Sequence, residues 1–143
     1  MSAPPAAPAA LRPLGHWPTI QALYHARYAG SGTMVMAARV VGLLEPDRLQ
    51  QGLADLVARH AVLRAALVQG ERELSWQERE PEEIRDVACR VLAAPLGSWP
   101  EIAAQETADP PAATGPLWRL TLAPAAVAGE QELILTTHHS LLD

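Results

Sequence analysis

LILTTHHSLLD occupies residues 133–143 and is the most informative stretch of the sequence. Its first five residues are apolar or β-branched and predict a buried strand. His138 and His139 follow this strand directly, and Asp143 comes four residues after His139. Imidazole has an ordinary pKa of about 6.5, so it can take and return a proton near neutral pH. The stretch therefore predicts a base and a carboxylate at the end of a rigid element.

The two histidines are expected to face opposite ways. Side chains alternate across a strand with a period of two, so His139 would share a face with Leu135 and Thr137, whereas His138 would share one with Thr136. The pattern therefore predicts different roles for the two rings.

The rest of the chain alternates strand and helix patterns. An amphipathic helix beginning at Pro46 is the clearest, because Leu49, Leu53, Leu56, Val57 and His60 fall on one face with a period near 3.6. This alternation predicts an α/β class with helices packed on a sheet. The predicted strands are 33–44 (a central strand), 62–68, 74–78, 117–123 and 131–139, and the predicted helices are 18–28, 46–60, 80–92 and 100–107.

Residues 1–13 are rich in Ala and Pro. Because proline blocks regular helix, they are predicted to be a disordered lead-in or a linker, with the folded domain spanning 14–143. A chain of 143 residues that is 49% hydrophobic is long enough for one compact domain.

Composition narrows the classes of function. A net charge of -5 disfavours an electrostatically driven nucleic-acid binder. The single cysteine, Cys89, cannot form an internal disulfide, and there is no apolar run near 18 residues that would span a membrane. The N-terminus also lacks a signal-peptide pattern, so the expected location is the cytoplasm.

Three ordered stretches resemble one family. His138-His139-x-x-x-Asp143 resembles the core of the HHxxxDG signature of the condensation-domain superfamily, which includes nonribosomal peptide synthetase condensation domains and stand-alone acyltransferases. Residues 59–67, RHAVLRAAL, are similar to that family's Arg-His-x-x-Leu-Arg-Thr-x-Phe element, with Ala65 and Leu67 at the positions of Thr and Phe. Residues 115–119, GPLWR, resemble its Gly-Pro-Leu-x-Arg element.

The resemblance implies a fold and an activity. The fold would be one lobe of the chloramphenicol-acetyltransferase-like type, a mixed β-sheet backed by helices, and this chain would be the N-terminal lobe. Two such lobes form a V with the active site in the channel between them, so the C-terminal lobe is an implied partner and the isolated chain is expected to be inactive. The activity would be acyl transfer from a phosphopantetheine-linked carrier protein or a coenzyme A thioester to an amine or hydroxyl, in natural-product biosynthesis. No tightly bound cofactor is expected.

The resemblance also implies roles for individual residues. His139 would face the channel as the catalytic base, and His138 would be a packed, hydrogen-bonded support beneath it. Asp143 would be a structural acid held by an arginine, for which Arg64 is the candidate in this chain. A bidentate arginine–carboxylate contact fixes geometry more strictly than a lysine contact does.

Rival chemistries are disfavoured by the sequence. A metal site would need three convergent ligands, which His138 and His139 on opposite strand faces do not supply. Ser140 lacks the Gly-x-Ser-x-Gly elbow of a hydrolase, and no glycine-rich phosphate loop is present. The remaining alternative of a different class is a non-catalytic condensation-like module that docks carrier proteins.

Overall fold

The computed structural model describes residues 10–28, 31–69, 74–85 and 88–141. The strands are β1 (Ala10–Pro13), β2 (Thr33–Val41), β3 (Ala65–Gln69), β4 (Leu74–Glu78), β5 (Cys89–Val91), β6 (Trp118–Pro124) and β7 (Glu130–His138). The α-helices are α1 (His16–Arg27), α2 (Pro46–Arg59), α3 (Pro81–Arg85) and α4 (Trp99–Ala108). Two 3₁₀ helices, Ala61–Arg64 and His139–Leu141, precede β3 and follow β7.

The described strands form two sheets. A three-stranded antiparallel sheet has the order β1-β4-β3, and a four-stranded sheet has the order β2-β7-β6-β5. In the latter, β2-β7 and β7-β6 are antiparallel and β6-β5 is parallel. The prediction of an α/β chain whose mixed sheet is backed by helices is therefore confirmed.

The four-stranded sheet has two unlike faces. We call the α2 face the one on which Trp118 and Leu120 of β6 and Leu133 and Leu135 of β7 pack with Val57 of α2. The α4 face carries the alternate residues, and there Arg119 and Thr136 contact α4. Helices thus cover both faces, and this cover buries most of β6 and the C-terminal part of β7.

Strand β1 lies inside the stretch predicted as a lead-in. Ala10–Pro13 pairs with β4 as an outer strand of its sheet, a position where Pro13 needs no ladder donor. Residues 1–9 lie outside the described residues.

The stretch 80–92 differs from its prediction as one helix. Helix α3 ends at Arg85, and Cys89–Val91 adds to β6 as a parallel strand. Residues 89–91 pair with the buried strand β6, and this pairing outweighs their local helical period. Helix α3 has only five residues, too few for a helix to be stable on its own.

Strand β2 was predicted to be central, but among the described strands it pairs with β7 alone. Its middle residues, from Met36 to Arg39, are exposed. A run of β-branched residues indicates a strand without indicating how many neighbours it has.

No helix of the described residues is long and apolar enough to cross a membrane.

Candidate functional site

The histidine pair lies where β7 turns into the terminal 3₁₀ helix. The backbone N–H of His138 donates to the Leu117 carbonyl over 2.7 Å, and the N–H of His139 donates to the Gly32 carbonyl over 2.7 Å. The strand ends at His138, and His139 begins the 3₁₀ helix. The prediction that His139 continues the alternation of the strand is therefore wrong. Within β7, the expected alternation between the two faces holds up to His138.

His138 is completely buried in a polar contact between α1 and the turn. Its Nδ1 accepts the backbone N–H of Ser140 over 3.1 Å and lies 2.7 Å from the Ser140 hydroxyl. Because Nδ1 accepts the amide proton, the neutral ring carries its own proton on Nε2. The ring also packs against His25 of α1, with the ring centroids 4.3 Å apart.

This environment keeps His138 uncharged. Burial, followed by the positive charges that His25 and His139 would carry, lowers the pKa of His138 to about 4. Burial also lowers the pKa of His25. His138 is therefore neutral near pH 7, and its buried ring has no surface from which to reach a substrate.

The Ser140–His138 contact resembles a nucleophile–base pair in distance only. Both residues are fully buried, so the Ser140 hydroxyl cannot meet a substrate carbonyl. The hydroxyl instead fixes the turn that carries His139.

His139 is only partly buried, in contrast to its neighbour. Its Nδ1 is shielded from solvent and has no hydrogen-bond partner among the described residues. Its backbone position is fixed by the bond to Gly32 and by the Ser140–His138 contact that follows it.

The three motif stretches meet in space. The indole N–H of Trp118 donates to the Leu63 carbonyl over 2.8 Å, which joins the second stretch to the third. Gly115 has a φ of +84°, and a Cβ there would lie 3.2 Å from the Ala65 carbonyl oxygen and 3.0 Å from the Ala66 Cβ. Only glycine fits this close approach, which explains its place in the third stretch.

Arg64 ends the first 3₁₀ helix, and β3 begins one residue later, although the sequence predicted Arg64 within the strand. Its guanidinium forms an ion pair with Glu78 of β4 and donates to the carbonyls of Val57 and Ala58 at the end of α2. The predicted partner, Asp143, lies outside the described residues, so the Arg64–Asp143 pair stays a prediction.

Sequence reasoning missed a buried ion pair on the α4 face. Arg119 and Glu106 are both buried and paired, and the Thr136 hydroxyl donates to the same carboxylate over 2.5 Å. Arg119 also donates to the Asp109 carbonyl over 2.7 Å. Arg119 belongs to the third motif stretch, but the sequence did not identify Glu106 as its partner. Glu106 lies four residues after the buried Ile102, and this helical spacing could have indicated that Glu106 is buried on the same face of α4.

His25 was also missed. It lies three residues after the buried Ala22 on the inner side of α1. This spacing indicates that His25 lies on the buried face of α1, but it does not predict the contact of His25 with His138. The described residues contain no group of three or more His, Cys, Asp or Glu side chains that could hold a metal ion.

Comparison with known proteins finds likeness in structure alone. No family model matches the chain, and no curated protein does. The starter condensation domain of rhizomide synthetase matches 89% of the chain at 18% identity with a TM-score of 0.68, and the match covers 32% of that structure. A variant of that domain in complex with C8-CoA gives 19% identity, 89% of this chain, 30% of its own length and a TM-score of 0.69.

A third structure, which concerns condensation domain-mediated chain release from the enacyloxin polyketide synthase, matches 96% of this chain at 17% identity with a TM-score of 0.56. The match covers 28% of that structure. The chain thus spans about a third of the length of the solved structures it matches. It has the fold of one part of a condensation domain, as the three sequence motifs implied.

Proposed function

We propose that this chain is the histidine-bearing N-terminal lobe of an acyltransferase. The enzyme would transfer an acyl group from a carrier-protein or coenzyme A thioester to an amine or hydroxyl. The observation that carries the proposal is the convergence of the three motif stretches on the turn that holds His139. The finer fold assignment, one lobe of the chloramphenicol-acetyltransferase-like type, belongs to the same proposal.

His139 acts as the general base. It removes a proton from the attacking N–H or O–H as the new bond to the thioester carbonyl carbon forms. The C–S bond then breaks, and the departing thiolate takes the proton back from His139. The products are an amide or ester and a free thiol, and His139 returns to its starting state.

His138 and Ser140 position this base without touching the substrate. The bonds between Ser140 and His138 hold the 3₁₀ helix against the end of β7, and the His139 N–H binds it to the Gly32 carbonyl. A base held in one geometry contributes more than a mobile one because its orientation is fixed before reaction. Asp143, held by Arg64 or by another arginine, would close the same turn.

The remaining walls of the site would come from a second lobe. Donor and acceptor arms would enter from opposite ends of the channel between the lobes, and their proximity would supply much of the rate. We therefore expect this lobe alone to show no turnover. The cytoplasm is the proposed location, since the chain has a single cysteine.

The experiment replaces His139 by Ala in the full-length protein and measures acyl transfer from an acyl-coenzyme A or acyl-carrier donor. General-base participation contributes about 10²- to 10⁴-fold, so kcat/KM should fall by about that factor while donor binding is retained. The control is His16→Ala, since His16 is exposed at the start of α1 and lies outside the three motif stretches. Wild-type transfer by the His139→Ala variant would rule out the catalytic role and favour a docking module.

A further inference from the structure

Three buried polar atoms belong to side chains that surround the end of β7. They are Nδ1 of His25, Oγ1 of Thr33 and Nε2 of His138, and none of them has a hydrogen-bond partner within the part of the chain that the structure describes. Buried polar groups are hydrogen-bonded in nearly all native structures. Three unpartnered atoms on neighbouring side chains therefore point to a common partner.

The strand register places Thr33 beside His138. Thr33 of β2 lies directly opposite His138 of β7 in an antiparallel ladder, in which hydrogen-bonded and non-hydrogen-bonded pairs alternate. The His139 N–H donates to the Gly32 carbonyl one position further along, so the pair of Thr33 and His138 is of the non-hydrogen-bonded kind. The side chains of such a pair share a face and approach more closely than those of a hydrogen-bonded pair.

His25 approaches the same ring from α1. The centroids of the His25 and His138 rings are 4.3 Å apart, and the ring planes are inclined at 57°. Because the planes diverge, the rings do not stack over their whole area, and their polar edges are free to bond a third group. Three elements, α1, β2 and β7, thus each contribute one unpartnered polar atom next to the His138 ring.

The hydrogen-bonding capacities of the three groups are complementary to a water molecule. His138 Nδ1 accepts the Ser140 N–H, so Nε2 carries the proton and donates. Burial lowers the pKa of His25, and its neutral ring can present Nδ1 as an acceptor. The Thr33 hydroxyl can donate or accept. A water molecule can accept from His138, donate to His25 and form its third bond with Thr33.

A metal ion or an organic ligand fits this site less well than water does. A ring nitrogen that carries a proton has no lone pair to offer a metal, which excludes His138 Nε2 as a ligand. All three atoms are shielded from solvent, so the occupant is small. A buried water typically forms about three hydrogen bonds to groups without another partner, and it bridges atoms up to about 5.5 Å apart.

We propose that His25, Thr33 and His138 together bind one internal water molecule, which joins α1 and β2 to the histidine turn. The site goes beyond the proposed acyl transfer, because it concerns how the turn is held and not what reacts there. The water holds the Nε2 edge of the His138 ring, and Ser140 holds its Nδ1 edge.

The first experiment compares crystal structures of the full-length protein and its variants. The wild type should show a water peak within about 2.7–3.2 Å of all three atoms. Thr33→Val removes the hydroxyl with little change of shape and should lose the peak, whereas Thr33→Ser should keep it. The matched control is Thr121→Val, because Thr121 is also a buried strand threonine without a hydroxyl partner among the described residues. This control should leave the peak unchanged.

NMR of the wild type tests the site even if a variant fails to fold. The His138 Nε2–H should transfer magnetisation to a long-lived bound water. Its exchange with bulk solvent should be about two- to tenfold faster in Thr33→Val, because the bound water has lost one hydrogen bond.

Three results would overturn the proposal: bonds from the three atoms to another protein segment, an anomalous metal peak at the site, or a peak that Thr33→Val leaves unchanged. The two proposals fail separately. Acyl transfer by a protein without this water would leave the proposed function standing, and the water in a protein that transfers no acyl group would leave this inference standing.

Discussion

Both faces of the four-stranded sheet pack against helices, but the α4 face does so with polar contacts and the α2 face with apolar ones. The α4 face buries a network in which Glu106 accepts from both Arg119 and Thr136. The α2 face buries leucines and Trp118 and leaves a groove. Hydrogen bonds are directional, so the polar face fixes one geometry, whereas apolar contacts are not directional and tolerate a space. The polar face is therefore the more rigid one, and the apolar face is the one that retains a groove.

Removal of Glu106 should have the largest effect on this comparison. Glu106→Ala leaves the buried Arg119 with only the longer contact, 3.5 Å, to the exposed Asp109 carboxylate. Loss of the buried partner of such a pair typically costs about 3–5 kcal/mol in the free energy of unfolding. Urea denaturation measures this cost. The matched control is Arg39→Ala, because the exposed Arg39 pairs with two glutamates of β7 and such an exposed pair contributes at most about 1 kcal/mol. Equal costs for the two variants would show that the buried pair does not organise the α4 face.

Acid should have the second largest effect, because it lowers the free energy of unfolding through the buried His138. The unfolded chain protonates His138 below about pH 6.5, but the folded chain does so only near pH 4, the value to which its pKa is lowered. Between these values the unfolded state binds more protons, so the free energy of unfolding falls as the pH falls. The loss from His138 is on the order of 3 kcal/mol.

The His138→Asn variant tests this origin. Its side-chain oxygen can still accept the Ser140 N–H, but it cannot titrate. Denaturation at several pH values between 4 and 7 should show a shallower dependence than in the wild type. An unchanged slope would mean that other groups cause the acid sensitivity.

Loss of the hydrogen bond from the Trp118 indole to the Leu63 carbonyl should have the smallest effect. Trp118→Phe removes the indole donor and leaves the Leu63 carbonyl without that partner, for a cost of about 1–3 kcal/mol. Comparison with Leu120→Val, which removes volume from the same face but no hydrogen-bond donor, separates loss of the hydrogen bond from loss of side-chain volume. A cost for Trp118→Phe below about 0.5 kcal/mol would show that the apolar face needs no directional bond.

Much of this architecture could be predicted from local pattern. The strand before the histidines and the helix that begins at Pro46 both follow from hydrophobic period, because the inward-facing residues of each element must recur with its geometry. The histidine pair, Arg64 and the glycine-proline turn were singled out by motif. The roles assigned to His139, His138, Arg64 and Asp143 stay predictions.

Contacts between segments that are distant in the sequence could not be predicted from local pattern. Residues 89–91 became a strand because β6 offered an unpaired edge, and residues 10–13 became one because β4 did. The Arg64 guanidinium contacts Glu78, a carboxylate that adjacency in sequence did not suggest.

The sequence by itself determined which segments bury apolar surface, where the chain turns, and which residue types meet at the end of β7, since each depends on neighbours within a few positions. The tertiary structure decided the partners: His25 against His138, Glu106 against Arg119 and Thr136, and Gly115 against Ala65. It also decided that β7 ends at His138 and gives way to the 3₁₀ helix His139–Leu141, in which the Ser140 N–H donates to His138 Nδ1. These contacts join residues many positions apart, and their geometry depends on how whole elements pack, which no local period encodes.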